Sequence, residues 1–139
     1  MDDVAAYLWV ALGGALGSVA RFALGNAMVL LTGPAFPWGT LLINVIGSFV
    51  ISFFGMLTGT GDRFALPYEA RVFVTVGICG GFTTFSSFSL QSVDLIRAGQ
   101  PGRAGLYVAA SLILCVAACG LGFLSAAALN NSAGPAHSL

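Results

Sequence analysis

Four long apolar stretches constrain the fold of this chain more than any other feature of its sequence. They cover residues 4–31, 38–58, 69–97 and 106–129, and each is long enough for a bilayer-spanning helix, which needs about 20 mostly apolar residues. Only 7% of the residues are charged, whereas soluble domains carry about 25%. We therefore predict an all-α membrane protein with four transmembrane helices.

The segments between these stretches are short and leave no room for a soluble module. They are residues 32–37, 59–68 and 98–105, and a polar tail occupies 130–139. We accordingly predict a single four-helix transmembrane domain over residues 1–139, embedded in the lipid bilayer. The formal net charge is zero, so nothing in the charge balance suggests a nucleic-acid partner.

The arginines bear on the orientation of the chain in the membrane. Arg63 and Arg71 lie on the side that holds both termini, and Arg97 and Arg103 lie on the other side. This even count gives no preferred orientation under the positive-inside rule. Either another signal orients the chain, or both orientations insert, and the second case would permit an antiparallel homodimer.

Polar side chains recur at helical spacing within two of the apolar stretches. On the fourth stretch Tyr107 and Ser111 are four residues apart, and Cys115 follows at the same interval. The second stretch carries a longer row: Thr40, Asn44, Ser48 and Ser52. Such rows either join helices by hydrogen bonds or face a water-filled path, because unpartnered polar groups are costly in a membrane.

The three cysteines lie within apolar runs. They are Cys79, Cys115 and Cys119, and no further Cys, His or carboxylate lies near enough in sequence to complete a metal site. We interpret all three as small apolar packing residues, which is the usual behaviour of free cysteine.

The uncharged run GGFTTFSSFS, residues 80–89, lies in the third apolar stretch. Since each glycine costs about 1 kcal/mol relative to alanine inside a helix, we expect the third helix to be broken near its middle. A break would expose backbone carbonyls that can hold a cation, and would begin a half-helix whose positive end favours an anion. Phe85 and Phe88 then share a face among hydroxyl donors, and aromatic ring edges are positive.

The chain resembles the Fluc (CrcB-like) fluoride channels over nearly its whole length. The matching stretches are GGALGSVARF (13–22), WGTLLINVIGSF (38–49), GGFTTFSSFS (80–89) and the Tyr107–Ser111 pair. The resemblance implies an antiparallel dual-topology homodimer with a broken third helix and two parallel pores. These pores would export fluoride passively across a bacterial inner membrane and lower its cytoplasmic concentration.

The resemblance also implies roles for particular residues. A structural sodium ion at the dimer interface would be held by the backbone carbonyls of Gly80 and Thr83. Phe85 and Phe88 would line the pores, Asn44 would donate to the ion, and Arg21 would attract the anion near the pore entrance. The other polar residues expected along the fluoride pathway are Thr40, Thr84, Tyr107 and Ser111.

One position departs from the family pattern. Gln91 stands where family members often carry a glutamate, so the hydrogen-bonding capacity is kept and the charge is lost. Because some species build the channel from two related subunits, the chain is alternatively one half of a heterodimer. The even arginine count favours the homodimer, since a committed heterodimer subunit would show an orientation bias.

Three other classes of protein are alternatives to a fluoride channel. A small multidrug antiporter is also a four-span dual-topology dimer, but proton coupling needs a carboxylate at depth. Apart from Glu69 at the first position of the third stretch, the only acid within a span is Asp94, for which we expect a local ion pair with Arg97. An enzyme is not expected, because the only histidine, His137, lies in the tail and no nucleophile–base pair is available. A membrane protein that serves assembly and conducts no ions is an alternative that the sequence leaves open.

Overall fold

The computed structural model describes residues 2–59 and 64–131. All regular elements within these ranges are helical. They are α1 Asp2–Thr32, α2 Trp38–Leu57, α3 Tyr68–Val72, a π-helical segment Phe73–Ile78, α4 Cys79–Phe82, α5 Phe85–Arg97 and α6 Pro101–Asn131. Arg63 and most of the tail, including His137, lie outside the described residues.

Four helical spans are long and apolar enough to cross a membrane. They are Val4–Thr32, Trp38–Leu57, Tyr68–Arg97 and Pro101–Asn131. The third span contains α3, the π-helical segment, α4 and α5. The prediction of an all-helical protein with four membrane-spanning helices is confirmed, and the chain is a multi-pass membrane protein.

Two short connections join the spans at one end of the molecule. Gly33 follows α1 with φ +76°, and Gly99 follows α5 with φ +72°, a left-handed conformation that glycine adopts without steric cost. Pro101 then begins α6 five residues before the predicted start at residue 106, because the fixed φ of proline suits the first turn of a helix. Arg103 consequently lies in the first turn of α6 and not in a loop.

The helix α1 packs against the third span through glycine. A Cβ on Gly13 would meet the backbone at Phe73 and Gly77, and one on Gly81 would meet the backbone of Gly14. Ser18 Oγ adds a weak hydrogen bond to the Gly81 carbonyl (3.5 Å). The small residues therefore bring two backbones of the same chain together, as small residues do in membrane helix pairs.

The helices α2 and α6 form the other extensive contact. Gly122 of α6 lies against the backbone at Phe49 of α2, where a Cβ would meet the Phe49 carbonyl and the Phe53 amide. Near the ends of both helices, Asn130 Nδ2 donates to the Met56 carbonyl (3.2 Å). This pair carries the two polar rows of the sequence, so its packing decides which members of the rows come together.

The third span changes backbone conformation after Phe82. Thr83 is extended, with φ −78° and ψ 155°, and Thr84 is extended as well, with φ −153° and ψ 110°. The helix α5 begins at the next residue. The two threonines lie at the level of Asn44 on α2, and this junction organises the site described below.

Candidate functional site

Asn44 pairs with the backbone of Thr84. Its Oδ1 accepts a hydrogen bond from the Thr84 N–H (2.8 Å), and its Nδ2 donates to the Thr84 carbonyl (3.1 Å). One side chain thus satisfies both backbone polar groups of an extended residue at membrane depth, where an unsatisfied group costs several kcal/mol. The second hydrogen on Nδ2 is left for another acceptor, since a carboxamide has two donors.

Thr84 also caps the helix that follows it. Its Oγ1 accepts from the Ser87 N–H (3.2 Å) and lies 3.2 Å from Ser86 Oγ and 3.1 Å from Ser87 Oγ. An N-cap threonine satisfies an amide that has no partner within the helix. The hydroxyl residues of the 80–89 run therefore gather at the N-terminus of α5, the positive end of a helix of 13 residues.

Backbone carbonyls before the junction lose their usual helical donors, and those of Gly80 and Thr83 are among them. In a continuous helix the amides of Thr84 and Ser87 would donate to the carbonyls of Gly80 and Thr83. Here they donate to Asn44 Oδ1 and to Thr84 Oγ1. The carbonyl oxygens of Gly80 and Thr83 are neutral ligands of the kind that hard cations prefer. Gly80 lies exposed on the surface of the single chain.

No cluster of three or more His, Cys, Asp or Glu side chains that could hold a metal is present in residues 2–59 and 64–131. The carbonyl oxygens described above are thus of a different chemical kind from the side-chain ligands of most metal centres.

A cavity of about 290 Å³ lies beside the junction, between α2, α5 and α6. We call it the central cavity. Its polar wall is formed by Asn44, Ser48, Thr83, Thr84, Ser111 and Cys115. Ser111 is only 6% exposed, and its Oγ has no hydrogen-bond partner among the described residues. A buried hydroxyl without a partner is costly and calls for an explanation, and here the hydroxyl belongs to the wall of a cavity.

The aromatic residues of the run also border the central cavity. The rings of Phe85 and Phe88 have centroids 5.3 Å apart and are tilted by 47°. Phe88 is buried, whereas Phe85 is 75% exposed in the single chain. Phe85 therefore presents its ring at the outer surface of the molecule, at the rim of this cavity.

A second cavity of about 500 Å³ opens at the end of the molecule that carries the two short connections. We call it the end cavity. Its walls include Asn26 of α1, Phe36 of the first connection, Thr40 of α2 and both Gln91 and Asp94 of α5. Polar side chains from α1, α2 and α5 converge here, and an opening that water can enter is where such groups are expected in a membrane protein.

Tyr107 contacts the walls of both cavities. Its hydroxyl donates to Gln91 Oε1 (2.9 Å), and its ring lies 5.5 Å from the ring of Phe36, at the end cavity. The same ring lies 5.3 Å from Phe88, at the central cavity. Tyr107 is fully buried and lies between Phe36, which lines the end cavity, and Phe88, which lines the central cavity.

The structure thus brings most of the sequence-predicted site residues together. Asn44, Thr84, Phe85, Phe88 and Ser111 border the central cavity, Thr40 borders the end cavity, and Tyr107 joins them. The members of the polar row on α2 lie at different levels of the molecule. Thr40 borders the end cavity, Asn44 and Ser48 border the central cavity, and Ser52 borders neither.

Arg21 is not at either cavity wall. It is half-buried on α1, one helical turn from Gly25, which does line the end cavity. The ion pair expected between Asp94 and Arg97 is not formed within the described residues, and the Asp94 carboxylate borders the end cavity instead.

Two wall residues of the central cavity, Ser48 and Cys115, were not among the residues predicted for the fluoride pathway. Ser48 belongs to the polar row of α2, and Cys115 follows Ser111 by four residues, so helical spacing was the signal that could have found both. The two side chains line the same cavity from α2 and α6. Cys115 was interpreted as a packing residue, yet it is only partly buried.

The sequence matches the family model described as CrcB-like protein, Camphor Resistance (CrcB), over residues 8–123. The chain belongs to the CrcB-like family. The match covers parts of all four spans of the structure, including α1, the junction at Thr83–Thr84 and α6 as far as Phe123.

Curated CrcB-like relatives match nearly the whole chain. A protein of Methylocella silvestris is 52% identical over 128 residues, covering 92% of this chain and 98% of the relative. One of Opitutus terrae is 53% identical and covers 92% and 97%, and one of Gluconobacter oxydans is 50% identical and covers 91% and 88%. Each of the three carries the name fluoride-specific ion channel FluC.

Proposed function

We propose that this protein is a fluoride-selective channel that lets fluoride leave the cytoplasm passively. The proposal is carried by relatives named fluoride-specific ion channels, which are 52% and 53% identical to this chain over 128 residues. It makes the protein a channel and not an enzyme. Membership of the CrcB-like family also sets aside the multidrug antiporter.

The central cavity supplies donors that would replace part of the hydration shell of fluoride. Ser111 Oγ has no partner within the described part of the chain, and Asn44 Nδ2 has one hydrogen left after bonding to Thr84. Selectivity in narrow pores comes from such donors and from pore diameter. Fluoride is the smallest halide and accepts hydrogen bonds strongly, so hydroxyl and amide donors discriminate in its favour.

The N-terminus of α5 and the phenylalanine edges add a favourable field. The hydroxyls of Thr84 and Ser87 lie within the positive end of the helix. Phe85 and Phe88 border the same space, and an aromatic ring is positive at its edge. Cations are disfavoured at this point for the same reason.

The pathway would continue past Tyr107 into the end cavity. Tyr107 holds its hydroxyl hydrogen on Gln91 Oε1, so a rotation of either side chain would offer a donor to an ion leaving the central cavity. Thr40 lies on the wall beyond it. Arg21, one turn from Gly25, would act at longer range by attracting anions towards this opening.

The functional unit would be an antiparallel homodimer in a bacterial inner membrane, with the interruption of the third helix at its centre. The exposed Phe85 and the exposed Gly80 lie on the same part of the chain and would be covered by a second copy. The Gly80 and Thr83 carbonyls fit a sodium ion as neutral oxygen ligands. One chain supplies only two of them, so a pair of chains would complete the site.

The proposal is tested by fluoride efflux from liposomes that contain only this purified protein, read with a fluoride electrode and repeated with chloride. We expect rapid efflux of fluoride and none of chloride. Asn44→Asp should lower the efflux about tenfold or more, because it removes the amide donor and places a negative charge on the path. Ser52→Ala, from the same row but outside both cavities, is the matched control and should keep the wild-type rate.

Each failure has a distinct meaning. No efflux from folded wild-type protein, with efflux restored by a related second chain, would replace the homodimer by the heterodimer. Equal efflux of chloride would contradict selectivity. Identical rates for Asn44→Asp and wild type would move the pathway away from the central cavity.

A further inference from the structure

We propose that Cys115 is a water-accessible thiol inside the central cavity, open to small hydrophilic thiol reagents, and that its modification closes the ion pathway. The inference concerns a nucleophile that the channel mechanism does not use. Only the closure of the ion pathway rests on the proposed function, because the accessibility of the thiol is a chemical property of the cavity.

The first support is the position of the thiol. Cys115 lies on the wall of a cavity of about 290 Å³ and is partly exposed. The other two cysteines of the chain are placed differently. Cys79 is 2% exposed, and Cys119 lies on the exposed side of α6 and borders neither cavity.

The second support is the buried hydroxyl one turn away. Ser111 Oγ is buried without a partner in residues 2–59 and 64–131, borders the same cavity and points to a polar occupant, because unpaired buried hydroxyls are satisfied by water or a ligand. Ser48, Asn44 and Thr84 add polar atoms to the same wall. A cavity with this lining would admit water, and contact with water is what a thiol needs in order to ionise.

Ionisation separates Cys115 from Cys119 chemically. The thiolate is the reacting form of cysteine, and a charge is strongly disfavoured where only lipid surrounds the side chain. The anionic reagent 2-sulfonatoethyl methanethiosulfonate does not dissolve in lipid. It therefore reaches the chain through water alone, and an anion-selective path favours its approach.

The reaction is a nucleophilic displacement on the thiosulfonate, in which water takes the thiol proton. The Cys115 sulfur forms a disulfide bond with the sulfenyl sulfur of the reagent. The bond from that sulfur to the sulfonyl group breaks, and methanesulfinate leaves with the electron pair. The product places a fixed negative charge in the central cavity, beside Ser111 and Asn44, where it repels fluoride and fills the space.

The experiment treats the full-length protein in liposomes with this reagent and reads two quantities: the adduct mass on each cysteine, by mass spectrometry, and fluoride efflux relative to the same variant before treatment. We expect one adduct, on Cys115, and efflux reduced to that of protein-free liposomes. Dithiothreitol should restore both. Cys119→Ser should behave as wild type, and Cys115→Ser should gain no adduct and keep its own untreated rate.

The outcomes decide the two halves separately. Absence of an adduct on Cys115, with this reagent and with its smaller 2-aminoethyl analogue, would overturn the water-accessible thiol, provided that the denatured protein is labelled. An adduct without loss of efflux would overturn the closure of the pathway. An adduct on a protein that conducts no fluoride before treatment would support the accessible thiol and contradict the proposed function instead.

Discussion

Ser111 and Asn44 use polar atoms at membrane depth in two different ways. Asn44 satisfies both backbone groups of Thr84, so its loss would affect folding as well as any ion. Ser111 Oγ makes no hydrogen bond to any of the described residues. Ser111 is therefore the better residue with which to test function separately from folding, because removing its hydroxyl breaks no hydrogen bond between the described residues.

We expect Ser111→Ala to slow fluoride efflux without lowering stability. A hydrogen bond to a charged group contributes about 1.5–3 kcal/mol, which corresponds to about ten- to a hundredfold in rate. The midpoint of thermal unfolding in detergent should not fall, since no protein hydrogen bond is removed. Ser125→Ala is the control: its hydroxyl donates to the Leu121 carbonyl on the exposed side of the same helix, and its efflux should match wild type. An unchanged rate for Ser111→Ala would show that its hydroxyl does not bind the ion.

At the scale of elements, glycine decides how close α1 lies to the third span. The backbones meet at Gly13, Gly77 and Gly81, and this contact holds α4 in place just before the extended threonines. A shift of α4 would move Thr83 and Thr84 away from Asn44. The packing of α1 therefore supports the site from a distance, although α1 contributes no residue to the central cavity.

A pair of matched substitutions on α1 tests this support. A Cβ on Gly17 would lie 2.8 Å from the Phe82 amide nitrogen, whereas a Cβ on Gly14 would meet nothing within 4 Å. Gly17→Ala should thus destabilise the protein by about 1–3 kcal/mol through overpacking. Gly14→Ala should be neutral or should stabilise α1 by up to about 1 kcal/mol.

Thermal unfolding in detergent and fluoride efflux would both be measured for these two variants. If Gly17→Ala matched Gly14→Ala in both quantities, the close approach of the two backbones would not be needed for the site.

At the scale of the whole molecule, the face that carries Phe85 and Gly80 is the part of the surface that a single chain leaves uncovered. Both residues are exposed in one chain, and the proposed antiparallel homodimer would cover them. Such a dimer needs the same chain in two orientations, and the even distribution of arginines permits this. Charge on the loops is therefore the variable that should control assembly.

Two oppositely biased variants test dual topology. Ala98→Arg with Gln100→Arg adds positive charge at the end that holds the short connections, and Arg97→Gln with Arg103→Gln removes charge there. Each variant alone should insert in one orientation, by the positive-inside rule, and should show no fluoride efflux. Co-expression should restore efflux, because each variant supplies the orientation that the other lacks. Full activity of either variant alone would contradict the antiparallel dimer.

Much of the architecture could be predicted from hydrophobicity, because lipid leaves a chain few choices. The backbone must satisfy its polar groups internally, so four apolar stretches of this length predict four helices, and the structure has them. Glycine at helical spacing likewise predicts close helix contacts. The start of α6 was misplaced because the weakly apolar residues 101–105 gave no helical signal, whereas Pro101 begins the helix through its fixed φ.

Helical periodicity alone predicts which polar residues lie in rows at membrane depth. The partners of these side chains follow from the tertiary structure. Helical spacing cannot say that Asn44 bonds to Thr84, that Tyr107 bonds to Gln91, or that Ser111 has no partner among the residues that the structure describes. Those facts depend on the height and rotation at which α2, α5 and α6 pack, and helix packing is set by contacts between residues far apart in the chain.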